Sequence, residues 1–140
     1  METPTAFDVN TVQQLLADWF APWVQALGLR AESCADGEVT LRLPFSDRLT
    51  RIGGMVCGQA LMSAADTAMA LAIASRLGVR QPMTTVQLST SFLKPLAGQD
   101  ALVQARIVRA GKSLVFGEID IVAAGDGKSV CRVSTTYALL

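Results

Sequence analysis

The chain has 140 residues, 51% of them hydrophobic, with 12 basic side chains set against 12 acidic ones and no histidine. That length suits one domain, residues 1–140, able to bury about two-thirds of its unfolded surface. The balanced charge and scarce aromatics give no footprint for nucleic acid, and the missing histidine excludes Ser-His and Cys-His nucleophilic pairs and His-based metal sites.

Residues 1–10, METPTAFDVN, lack the basic and apolar regions of a signal peptide and are expected to fray, which makes the cytoplasm the expected compartment. Asn10 is the expected cap of a first helix, with Gln13 three residues on. Val12, Leu15, Leu16, Trp19, Phe20, Trp23, Val24 and Leu27 then recur at helical spacing. Pro22 kinks this helix or splits it in two, and Gly28 ends it. Its aromatic stripe reads as a packing face rather than a ligand box. Residues 29–34 and 38–45 read as strands joined by an Asp36-Gly37 turn, and residues 44–54 form a loop that delivers Arg51 to the next element.

That element dominates the chain. Residues 58–77, GQALMSAADTAMALAIASRL, are rich in good helix formers and predict a helix of about 30 Å. Apolar and small residues lie on every side of it, as in a helix surrounded by other elements. Asp66 sits in its middle with no Lys or Arg within a turn or two. It could cap a second helix starting at Thr67, or lie in a membrane span, although a mid-membrane carboxylate is costly. The favoured reading is a functional carboxylate on a buried central helix. Gly53-Gly54 and Gly58 feed a flexible turn into the helix start, whose free N–H groups suit a carbonyl oxygen or oxyanion. Gln59, Met62, Ser63, Asp66, Met69, Ala70 and Ile73 are read as one helix face with room for a ligand. Tight packing of small residues is the plainer alternative.

The last 60 residues read as four strands. In residues 83–94, Val86, Leu88, Thr90 and Phe92 alternate with Thr85, Gln87, Ser89 and Ser91. Residues 99–109, 113–123 and 129–140 follow, with turns at Gly111 and Gly125-Asp126-Gly127. The order predicts an α+β domain in which a largely antiparallel sheet wraps one long helix. Cys34, Cys57 and Cys131 are too dispersed for a disulfide framework or zinc cluster.

Two stretches, CGQALMSAADTAMALA and TTVQLSTSFLKP, together with this element order, resemble the hotdog-fold acyl-CoA thioesterases, in particular the phenylacetic-acid-degradation (PaaI-like) branch. The resemblance implies thioester hydrolysis without metal or other cofactor. Asp66 would attack the thioester or activate water, and the Gly58 N–H would polarise its carbonyl. Cys57 stands in place of the usual His, Gln59 in place of a second Gly, and Arg51 in place of an Asn or Gln that orients substrate or water. Ser63 lies on the same helix, and Lys94, Arg109 and Lys112 are candidates for the CoA phosphates. The resemblance also implies a site between two subunits, in a homodimer or a pair of dimers, with residues 83–94 of two copies paired. A protein that binds acyl-CoA but turns it over weakly is the alternative. A hotdog dehydratase is disfavoured by the absent histidine. Neither a nucleic acid nor a membrane is an expected partner.

Overall fold

The computed structural model describes residues 7–140. Of the segment expected to fray, residues 1–6 lie outside the described residues, while Val9 and Asn10 are helical.

Helix α1 (Val9–Asp18) starts two residues before the expected position. Asp8, not Asn10, is its cap: it holds the extended backbone a cap needs, and its carboxylate accepts the Thr11 N–H at 3.0 Å. The backbone bond from Thr11, first among several, holds the Asp8 carboxyl below its ordinary range. Pro22 resolves the kink-or-split alternative by opening a separate helix, α2 (Pro22–Gln25), at a first-turn position where its missing N–H costs nothing. Gly28, at φ +73°, turns the chain into the sheet.

Strands β1 (Arg30–Ala35) and β2 (Glu38–Leu43) precede helix α3 (Gly58–Leu77), and β3 (Met83–Phe92), β4 (Ala101–Ala110), β5 (Leu114–Ala123) and β6 (Ser129–Leu139) follow it. All neighbours are antiparallel, in the order β1-β2-β4-β5-β6-β3. A short 3₁₀ turn, Asp47–Leu49, interrupts the loop after β2. Asp100 pins the start of β4 to the end of β2, accepting the Phe45 N–H at 2.7 Å and an Arg42 N–H at 3.0 Å.

The sheet curls round α3, burying Ala64, Ala65, Ala68, Met69, Leu71 and Ile73 completely. The helix runs unbroken, so Asp66 caps no second helix. Although α3 is long and apolar enough to cross a membrane, its apolar sides are spent on the sheet. The close approach depends on Gly117 in β5, where a β-carbon would collide with the Met69 side chain.

Edge strand β1 is covered by α1, and the Ala31 N–H donates to Gln13 Oε1 at 2.9 Å. The other edge, β3, is open, with Val86 58% exposed. Its pairing with β6 shifts between Thr85 and Gln87, making Val86 a bulge residue. Strict alternation groups Thr85 with Gln87, Ser89 and Ser91. The bulge instead sets Thr85 opposite Tyr137, on the face that looks toward α3.

Candidate active site

Several clefts open along α3. The largest, about 560 Å³, has Ser63, Asp66, Thr67 and Ala70 of the helix as its floor. Trp19, Phe20 and Trp23 form one wall, and the segment from Val79 to Thr85, with Tyr137, forms the other. The aromatic stripe of the N-terminal helices packs only in part, with Phe20 against the core and the two tryptophans largely outside it. Val12, Leu15, Leu16 and Leu27 are buried, but Trp19 is 39% and Trp23 61% exposed above the Asp66 carboxylate.

Asp66 is half-buried, and two hydroxyls meet the same oxygen of its carboxylate. Thr85 donates to Oδ1 at 2.8 Å, and Tyr137 lies 2.5 Å from Oδ1 and 2.8 Å from the Asp66 main-chain carbonyl. No described residue donates to Oδ2. Hydroxyl donors take the role that a lysine or arginine would otherwise fill, so the carboxylate is not an uncompensated buried charge. Burial, then the neighbouring Asp66 charge, push the Tyr137 phenol far above its ordinary value, so it remains a proton-bearing donor.

The helix surface expected from the sequence to face a ligand as a unit does not hold together. Ser63, Asp66 and Ala70 line the cleft, whereas Met69 and Ile73 are wholly buried against the sheet. The Ser63 hydroxyl donates to the Gln59 carbonyl at 2.7 Å and the Thr67 hydroxyl to that of Ser63 at 2.7 Å, local bonds common for such residues inside helices.

Gly58 opens the second cleft, of about 360 Å³, in company with Arg51, Phe92 and Lys94. Cys57 is the cap residue but makes no side-chain capping bond, and the Gly58 and Gln59 amides have no acceptor among the described residues. The Phe92 ring lies flush on the helix start, where a β-carbon on Gly58 would stand 3.0 Å from its Cζ. Cys57 and Gln59 line a third cleft of about 310 Å³, beside Trp23 and Arg48. Arg109 and Lys112 line none of these three clefts.

The sequence-predicted residues thus fall into separate groups. Arg51, Gly58 and Lys94 converge, as do Ser63 and Asp66, while Cys57 and Gln59 stand apart and Arg109 and Lys112 join no group. Eight residues of helix separate Gly58 from Asp66, about 12 Å of rise. One chain cannot apply both to the same carbonyl. The Tyr137 and Thr85 contacts were not anticipated: the bulge hid Thr85, and Tyr137, the chain's single tyrosine, was the only available signal of a polar group required inside β6.

Among the described residues no three of Cys, Asp and Glu gather into a group suited to a metal ion. Residues 53–130 match the sequence profile of the Thioesterase superfamily. A Halobacterium salinarum protein, provisionally named an esterase, is 33% identical over 129 residues, covering 87% of this chain and 85% of its own. The PaaI protein from the phenylacetic acid degradation operon of E. coli superposes with a TM-score of 0.80 at 21% identity, over 94% of this chain and 96% of that one. A hypothetical thioesterase of Streptococcus pneumoniae, solved with coenzyme A, gives 0.73 at 20% identity, over 80% and 85%. At these identities the two structures speak for the fold alone, which is the hotdog fold.

Proposed function

The chain belongs to the Thioesterase superfamily, and we propose that it hydrolyses acyl-CoA thioesters to the free acid and CoA at a site shared by two copies of the chain. One observation carries this reading: a carboxylate with one oxygen pinned and the other free, on the floor of an aromatic-walled cleft. The choice of CoA is supported by the coenzyme held in the similar Streptococcus pneumoniae structure. Placement in the PaaI-like branch rests on the sequence resemblance.

Asp66 acts by one of two routes. In the first, Oδ2 attacks the thioester carbonyl carbon, the C–S bond breaks, and the CoA thiolate takes a proton from a water molecule, leaving hydroxide. That hydroxide then opens the acyl-aspartyl anhydride, releasing the free acid and restoring the Asp66 carboxylate. In the second route, Asp66 takes a proton from the attacking water and passes it to the departing sulfur. In either, the developing oxyanion needs donors, and the open amides at Gly58 are suited to it. Because Gly58 and Asp66 of one helix stand too far apart, the Gly58 amide is supplied by a second copy. The open β3 edge, a surface that strands ordinarily cover, supports such pairing. Arg51 and Lys94, beside Gly58, are placed to meet phosphate groups.

The test is Asp66→Asn, which keeps the shape and an acceptor oxygen. It should stay folded, retain acyl-CoA binding and lose at least about 100-fold in turnover. Turnover near the wild-type rate would remove Asp66 as the catalyst. Single turnover in ¹⁸O-water tests for the first route, since label enters Asp66 only when water opens the anhydride at its aspartyl carbonyl, whereas the second route places label in the product acid alone. The second reading, weak turnover by an acyl-CoA-binding protein, draws on Cys57, which by the sequence resemblance stands where the family has histidine and which lines a cleft other than that of Gly58. Wild-type protein that binds acyl-CoA without hydrolysing it would establish that reading.

A further inference from the structure

We infer that Tyr137 positions Asp66, fixing which carboxylate oxygen reacts by holding the other. This rests on the proposed role of Asp66. The terminal torsion of a carboxylate is broad and roughly two-fold, so an unrestrained Asp66 would present either oxygen to the cleft. Here both hydroxyl contacts fall on Oδ1, and Oδ2 is left without a protein donor among the described residues.

The two holders are not equivalent. Thr85 lies on the edge strand, beside the Val86 bulge. Tyr137 lies on β6, flanked by Val115 of β5 and Thr85 of β3, and is 3% exposed. A rigid aromatic side chain on an interior strand is the better geometric reference. Its one proton goes to Oδ1, the nearer and charged acceptor, while its oxygen stays 2.8 Å from the Asp66 main-chain carbonyl. The phenol thus fixes the side chain of Asp66 relative to its own backbone. Locked in its protonated form, Tyr137 cannot serve as the base itself; it acts through Asp66.

The plainer possibility is that a buried phenol needs an acceptor and Asp66 happens to supply one. Tyr137→Phe keeps the ring and separates the two. Positioning predicts a fall of about tenfold in kcat for acyl-CoA hydrolysis, with KM within about twofold, because misplacing a reacting group affects the chemical step. In an Asp66→Asn background the same substitution should cause no further fall, since residues acting through one another are not additive. An unchanged kcat, or equal falls in both backgrounds, would overturn the inference. Should Tyr137→Phe fail to fold, replacing tyrosine with 3-fluorotyrosine during expression alters this one position, because the chain has a single tyrosine. The more acidic phenol should then change kcat at least about twofold with KM unmoved, and an unmoved kcat would overturn the inference. A fully active Asp66→Asn variant removes the proposed catalyst itself. An inactive Asp66→Asn beside a fully active Tyr137→Phe removes only the role of Tyr137.

Discussion

Met69 of α3 rests directly on Gly117 of β5. A β-carbon on Gly117 would stand 2.5 Å from the Met69 methyl carbon and 3.2 Å from the Arg106 carbonyl oxygen. Glycine weakens a strand, and its presence within β5 marks a close approach between elements. Gly117→Ala should therefore destabilise the domain by about 1–3 kcal/mol through overpacking, read from urea unfolding. Combined with Met69→Ala, it should cost less than the sum of the two single variants, because the two side chains compete for one space.

Trp23 offers a contrast. At 61% exposure it contributes little to the core, so Trp23→Ala should leave the melting temperature nearly unchanged. If the Asp66 cleft takes the acyl group, the same substitution should raise KM three- to tenfold, roughly the value of an aromatic contact. Steady-state kinetics beside a thermal melt would check both halves.

The basic residues divide by position. Arg51→Ala and Lys94→Ala, both beside Gly58, should each weaken binding of CoA itself by about tenfold, as for a charge-assisted phosphate contact. Arg109→Ala and Lys112→Ala should leave it within about twofold. Calorimetric titration with CoA would show the opposite pattern if the phosphates lie at the β4–β5 turn.

Asp100 gives a pH dependence. The Phe45 N–H, then the Arg42 guanidinium, lower its carboxyl below the ordinary value. Its folded form thus favours the ionised state, and the resulting stability is present above the unfolded pKa of about 4 and is lost as pH falls through the folded value. At pH 7 Asp100→Asn should be less stable than wild type. The difference should shrink as both are melted at successively lower pH below about 4.

Much of the fold was legible because its signals are local. Alternation and turn residues marked all six strands, and the length and composition of residues 58–77 marked the central helix. The first cap was misplaced because Asp8 and Asn10 are both good capping residues two positions apart, and only backbone geometry separates them. Asp66 was legible as a candidate, one carboxylate against an apolar background, and it lies on the floor of a cleft. Its hydroxyl partners were not, because the Thr85 contact depends on one extra residue in an edge strand and the Tyr137 contact on a residue 71 positions away. Trp19 and Trp23 carry helical periodicity whether they face a core or a cleft, so spacing alone could not assign them.

The Val86 bulge also constrains how a second copy can meet this edge. Pairing β3 with itself about a two-fold axis matches each residue with one equally distant on the other side of the axis. The bulge breaks the regular run, leaving Gln87–Phe92 as the uninterrupted stretch, with its midpoint between Ser89 and Thr90. Opposed residues share a face of the sheet, so a symmetric ladder that avoids both bulges is centred on Ser89 or on Thr90, and Ser89, which is exposed, faces its own counterpart in the first case. Ser89→Cys then becomes a molecular ruler. Facing β-carbons on adjacent antiparallel strands fall within disulfide reach, so a crosslink at this position and not at Gln87 would fix the symmetry axis to within a residue.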